Sequence, residues 1–126
     1  MISIIIPLYN KGKYIKNTID SILSQNFDDF EIVVVNDGST DNSFEIVKGI
    51  QSDKIKLYTK ENGGPASARN MGIQKAVGEW IIILDADDTL ESDALEHFQH
   101  LTIKHPKCNF FCCNHYIQYN KNIHLY

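Results

Sequence analysis

Residues 81–90 read IIILDADDTL, so an apolar run delivers three carboxylates, Asp85, Asp87 and Asp88, within four positions. Neighbouring carboxylates repel, and solvent, a proton or a cation must offset their charge. On an extended segment, side-chain alternation sends Asp85 and Asp87 to one side and Asp88 to the other. Two carboxylates on one side suit a hard divalent ion. Mg²⁺ or Mn²⁺ takes one or two protein carboxylates and completes its shell with water and phosphate oxygens. The spacing therefore fits a metal-bound diphosphate better than a calcium cage, which needs more oxygen donors. The plain alternative is a capped helix start with solvated acids.

Other residues could serve the same ligand. Asp37, in NDGSTDNS, is either a turn-former or an acceptor for the imide N–H of a uracil or thymine ring. Tyr9 could stack on such a base, or be a half-buried packing residue. Arg69, in ENGGPASARN, could approach base or phosphate; its plain reading is a surface ion-pair partner.

These residues need elements to position them. Ile2–Ile6 is a nearly continuous apolar run, as expected of a strand buried on both faces; Pro7 should end it and open the loop PLYNKGK. Ile15, Ile19, Ile22 and Leu23 follow helical spacing between residues 13 and 25. Phe30 to Val35 predicts a second strand, Ser43 to Ile50 a helix, and Ile55 to Tyr58 a third, weaker strand. Pro65 suits the first turn of a helix reaching about Val77, with Gly78 beyond it. Trp80 to Leu84 predicts a fourth strand, Asp93 to His105 a helix, and a last strand is expected from about Asn109. Strand and helix alternate four times, which predicts an α/β fold: a doubly wound, mainly parallel sheet with helices on both faces. Ligands of such sheets bind beyond the carboxyl ends of the strands. Tyr9, Asn10, Asp37 and Asp85–Asp88 all fall there.

Composition narrows the partners. The chain has 126 residues, the size of one domain, and its 22% of charged residues is ordinary for a soluble globular protein. A net charge of −4 speaks against nucleic acid or an anionic membrane as a general partner. The apolar start is too short for a signal peptide and Pro7 interrupts it. Three cysteines, all between 108 and 113, suit reduced thiols and a cytoplasmic location. Cys108, Cys112, Cys113 and His115 lack the spacing of a zinc finger and read instead as part of a buried strand. His97 and His100 suit a solvated helix face, and Gly63-Gly64 lacks the rest of a phosphate-loop pattern.

Taken in order, SIIIPLYN, SILSQNFDDFEIVVVNDGSTDNS, ENGGPASARNMGI and GEWIIILDADDTL resemble family 2 glycosyltransferases, the inverting enzymes of the GT-A fold, over residues 2 to 105. The resemblance implies a Rossmann-like nucleotide-binding half. In it the loop Pro7, Tyr9 and Asn10 lies against the base and Asp37 holds the uracil. Arg69 contacts the nucleotide, Asp85 sits near the ribose, and Asp87 coordinates Mn²⁺ or Mg²⁺ on the diphosphate. It also implies a nucleotide-sugar donor, a UDP-sugar rather than a dTDP-sugar, and transfer with inversion to a glycan or lipid-linked acceptor. A peripheral contact with the inner face of a membrane and a homodimer stay open.

The chain departs from the family at the general base, which the resemblance places in a later, acceptor-binding portion. After Asp93 the sole acid is Glu96, in a predicted helix, so no catalytic residue is named. The chain reads as a donor-binding domain cut from something longer. A binding-only fragment is one alternative. A sugar nucleotidyltransferase is another, though PLYNKGKY lacks its glycine-rich basic loop. A phosphoacceptor receiver domain would need an acidic pair where Leu8, Tyr9 and Asn10 stand.

Overall fold

Strands with no polar side to show to water belong in the middle of a sheet. In a computed structural model, which describes residues 1–113, 116–119 and 122–125 (the last two stretches by backbone alone), β1 (Ile2–Leu8) and β2 (Phe30–Asn36) fill that role. With β3 (Ile55–Thr59) and β4 (Trp80–Ile83) they form a parallel sheet of order β3-β2-β1-β4. Ile2 pairs with Phe30 on one side and Trp80 on the other. The chain steps outward from β1 to β3, then returns across the sheet to place β4 on the opposite side of β1. The strand order thus reverses beside β1, the position where open α/β sheets leave a crevice at their carboxyl ends.

Pro7 does not end β1, contrary to the expectation from its missing N–H; Pro7 and Leu8 continue the strand beside Val35 and Asn36. Successive peptide groups point to alternate neighbours. The odd positions of β1 face β4, whose ladder has finished at Ile5 opposite Ile83, with one last bond from the Leu84 N–H to the Ile5 carbonyl (3.0 Å). Pro7 therefore lies where no donor is required.

Within residues 1–96, helices connect and flank the strands of the sheet. α1 (Ile15–Leu23) buries Ile15, Thr18, Ile19 and Ile22, a stripe at helical spacing, and α2 (Ser43–Lys48) buries Ser43 and Val47. α3 (Pro65–Lys75) instead presents the small residues Ala68 and Gly72 to the sheet. Ala68 joins Ile5, Val33 and Val35 in one apolar cluster flanked by Tyr58, Met71 and Ala76. The pleat sends Ile4, Ile6, Ile32 and Val34 to the other face, where they are also fully buried. At the amino end of the sheet, the Ser3 hydroxyl donates to Glu31 (2.6 Å). The Val77 and Gly78 amides bond Glu31 and Ser3, fixing the turn from α3 into β4.

Met1–Glu96 forms one compact unit and His97–Tyr126 another, with α4 (Ala94–Lys104) running from the first into the second. In the second unit, β5 (Tyr116–Tyr119) and β6 (Asn122–Leu125) pair antiparallel, and Phe98 meets Phe111 edge to face at 5.7 Å. The strand expected from Asn109 starts later: residues 109–113 have no ladder partner among the described residues, and the pairing is made further along by β5 and β6. Cys108, Cys112 and Cys113 are free thiols and exposed, rather than buried in a strand. His115 lies outside the described residues. Among the described residues no helix is long and apolar enough to cross a membrane.

The close approach of α3 to β1 gives a test. A Cβ on Gly72 would stand 2.3 Å from Ile5 Cγ2. In an open helix, Gly→Ala gains about 1 kcal/mol; here overpacking costs about 1–3 kcal/mol. Gly72→Ala is expected to lower stability in urea unfolding, and a more stable variant would contradict the packing described.

Candidate functional site

The carboxyl ends of β1, β2 and β4 open into a cleft of about 620 Å³. Of the seven residues that sequence singles out, six line it: Pro7 and Tyr9 from the end of β1, Asp37 from the end of β2, Arg69 from α3, and Asp85 and Asp87 after β4. Asn10 is not in the lining. Its backbone takes a left-handed conformation (φ 51°), which asparagine tolerates well. Its side chain ties the β1–α1 loop to the segment after β2: Oδ1 accepts from the Thr40 amide (2.7 Å) and Nδ2 donates to the Thr40 hydroxyl (3.2 Å).

The acidic segment is not extended, as simple alternation assumes. The Asp88 N–H donates to the Asp85 carbonyl (3.0 Å) and closes a turn, with Ala86 buried at its tip. The turn still sends both Asp85 and Asp87 to the cleft, and Asp88 is not in the lining. α1 and the residue two places past its C-terminal end hold this loop through polar side chains. Thr18 Oγ1 donates to the Ala86 carbonyl (2.9 Å), Ser21 Oγ accepts from the Leu90 amide (3.1 Å), and Gln25 bonds the Glu91 carbonyl and the Leu95 amide.

Each cleft carboxylate is matched by a side-chain cation. Lys60 Nζ lies 2.8 Å from Asp37, Arg69 2.8 Å from Asp85, and Lys11 Nζ 2.5 Å from Asp87. The Asp37 carboxylate, 2% exposed, also accepts the amides of Gly63 (3.0 Å) and Gly64 (2.8 Å). Gly64 has φ +85°, a conformation that favours glycine and lets its N–H point at the acid. Burial works against ionising Asp37, but Lys60 and the two amides outweigh it and hold the carboxyl below the usual aspartate range. The hydrogen bond that Lys11 donates to Asp87 keeps its ammonium above the ordinary lysine pKa. Asp41 is held low chiefly by Ser43, and it accepts the Gly12 amide (3.0 Å), bracing the loop that carries Lys11.

Sequence reasoning missed Lys11, Lys60 and the paired glycine amides. Their one legible signal is position, since all fall in loops after β1 or β3, on the edge where Asp37 and Asp85 lie.

Among the described residues no group of three or more His, Cys, Asp or Glu could hold a metal by itself. Asp85 and Asp87 fit instead a divalent ion that brings phosphate oxygens with it. Arg69 Nε is buried with no hydrogen-bond partner, a donor still unspent at the cleft wall.

Residues 3–125 match the sequence profile of "Glycosyl transferase family 2". The chain belongs to this family. An uncharacterised glycosyltransferase of Haemophilus influenzae is 39% identical over 125 residues, 97% of this chain and 46% of that protein. Among solved structures, S. aureus TarS (residues 1–349) in complex with UDP-GlcNAc is 34% identical, with a TM-score of 0.79 over 83% of this chain and 32% of that one. The mannosyltransferase PcManGT of Pyrobaculum calidifontis, in complex with GDP-Man and Mn²⁺, is 32% identical, with a TM-score of 0.66 over 70% of this chain and 28% of that one. The family 2 chain described here thus spans less than half the length of each of these relatives, and its parallel sheet and helices are those of GT-A glycosyltransferases.

The Asp37 cluster makes a pH prediction. A depressed folded pKa stabilises the protein above the ordinary aspartate range, and that stability is lost as pH falls through the depressed value. Asp37→Asn, which leaves Lys60 and two amides facing a neutral group, is expected to cost about 1–3 kcal/mol at neutral pH. It should also flatten the acid limb of the stability curve. Parallel wild-type and variant curves in urea unfolding between pH 2 and 7 would contradict the assignment.

Proposed function

We propose that this chain is the donor-binding domain of an inverting glycosyltransferase that uses a UDP-sugar. The observation that carries the reading is the convergence of Tyr9, Asp37, Arg69, Asp85 and Asp87 on one cleft, beside the reversal of strand order. Asp37 Oδ1 already accepts two bonds, but Oδ2 accepts just the Gly64 amide, which leaves an acceptor position for a uracil imide N–H. Tyr9, 46% exposed, offers a ring for the base to stack on. Arg69 and Asp85 would meet the nucleotide beyond the base, and the unpartnered Arg69 Nε would be satisfied by a ribose or phosphate oxygen.

In this reading Asp87, with Asp85 beside it, would hold Mn²⁺ or Mg²⁺ against the diphosphate. The bound cation supplies Lewis-acid stabilisation of the negative charge that builds on the leaving group. The acceptor hydroxyl attacks the anomeric carbon from the face opposite the nucleotide. A carbon–oxygen bond forms to the acceptor as the bond to the diphosphate breaks, and configuration inverts. The acceptor proton passes to a general base, which we assign to no residue of this chain. The acceptor is a glycan or a lipid-linked sugar, the latter met at the inner face of a membrane. The exposed free thiols of Cys108, Cys112 and Cys113 suit the reducing cytoplasm.

The UDP-GlcNAc complex of TarS, at 34% identity, favours uracil, while the GDP-Man complex of PcManGT keeps a purine as the competing choice. Calorimetric titration separates them. UDP is expected to bind more tightly than GDP, and more tightly with Mn²⁺ than in chelator. Asp87→Ala should remove most of the metal enhancement, whereas Asp37→Ala should weaken UDP and keep the enhancement. UDP affinity indifferent to Mn²⁺ would overturn the metal role of Asp87, and preference for GDP would overturn the uracil reading.

A further inference from the structure

The cleft described above is electrically self-contained: Asp37, Asp85 and Asp87 face Lys60, Arg69 and Lys11 one to one. The three cations are held differently. Lys60 also bonds the Glu61 carbonyl, and Arg69 stands on α3 with its Nε buried although its side chain is as exposed as that of Lys11. Lys11 is a freely jointed side chain on a braced base. Its backbone N–H donates to Ser43 Oγ (2.9 Å), and the next amide, of Gly12, donates to Asp41. Among the described residues its ammonium meets Asp87 at 2.5 Å and the Tyr14 ring at 5.9 Å, with Asp85 attracting it from further off, and both the Lys11 and Asp87 side chains are more than a third exposed. The ammonium can therefore leave Asp87 by rotating its own bonds, with no movement of the loop.

We infer that Lys11 is a tethered counter-ion that covers Asp87 while the cleft holds no donor and moves onto the diphosphate when a divalent cation takes Asp87. The inference rests on the donor-binding reading and adds a positioning role that it does not contain. A divalent cation on Asp87 takes up the negative charge that holds the ammonium on Oδ2 and repels it, so metal entry weakens the hold on Lys11. The diphosphate that arrives with the metal is then the nearest uncompensated anion. Lys11 should thus oppose binding of metal alone and support binding of nucleotide, especially without metal. Lysine suits this exchange because its compact charge sits on a rotatable stem.

The test uses Mn²⁺ alone, followed by the electron paramagnetic resonance signal of the free ion, and UDP titrated with Mn²⁺ or with chelator. Lys11→Met is expected to bind Mn²⁺ alone about two- to fivefold more tightly, the worth of one exposed ion pair. It should bind UDP in chelator more weakly than wild type, so that its affinity ratio with and without metal rises. Lys11→Arg should stay near wild type in the chelator titration. Lys16→Met, which breaks a comparable exposed pair with Asp20 on α1 outside the cleft lining, should change neither quantity. In an Asp87→Ala background, Lys11→Met should no longer affect Mn²⁺.

If wild type binds UDP in a metal-dependent way and Lys11→Met changes neither the Mn²⁺ affinity nor the metal ratio, the exchange is overturned and the donor-binding reading stands. If wild type binds no UDP under any metal condition, the donor-binding reading falls and takes the exchange with it.

Discussion

The structure depends on holding negative charge at the carboxyl edge of a parallel sheet. Parallel strands deliver their loops to the same edge, so the residues after β1, β2 and β4 are neighbours although far apart in sequence. Three of those residues are aspartates that face one cleft. Left alone they would repel, and Asp37, almost fully buried, would bear a desolvation cost as well. Lysines and an arginine from loops and from α3 offset both penalties without covering the cleft. The charge of the cleft is thus balanced by the chain's own side chains.

The scaffold beneath the edge explains why the loops sit where they do. α3 approaches β1 closely because Ala68 and Gly72 carry almost no side chain, and this places Arg69 at the cleft wall. Thr18 and Ser21 of α1, and Gln25 just past its end, bond the backbone of Ala86, Leu90 and Glu91 in the acidic loop. Asn10 and Asp41 lock the loops after β1 and β2 to each other. These polar residues set the distances between the side chains that line the cleft.

Much of this was legible in the sequence. Continuous apolar runs at Ile2–Ile6 and Phe30–Val35 mark buried strands, and the spacing Ile15, Ile19, Ile22 marks an amphipathic helix. The turn chemistry of NDGSTDNS and the acids of DADD point to the strand ends where ligands bind. Local details resisted for identifiable reasons. Pro7 stays in β1 because a neighbouring ladder has already ended, which depends on the register with β4 and not on Pro7 itself. The 85–88 segment turns because a backbone bond and α1 fold it, so alternation misdescribes the loop. Lys11 and Lys60 look like solvated surface lysines until the fold places an aspartate beside each. The apolar run near Asn109 does not itself reveal that the strand pairing forms later, between β5 and β6.

The central claim is that this crowded edge is a donor cleft shared by a nucleotide and a divalent ion. A crystal grown with UDP and Mn²⁺ tests it most directly. The expected density places the uracil between Tyr9 and Asp37, and Mn²⁺ within about 2.0–2.2 Å of an Asp87 oxygen, bridging to the diphosphate. An empty cleft in which Asp87 still holds Lys11, with UDP bound elsewhere or nowhere, would contradict it.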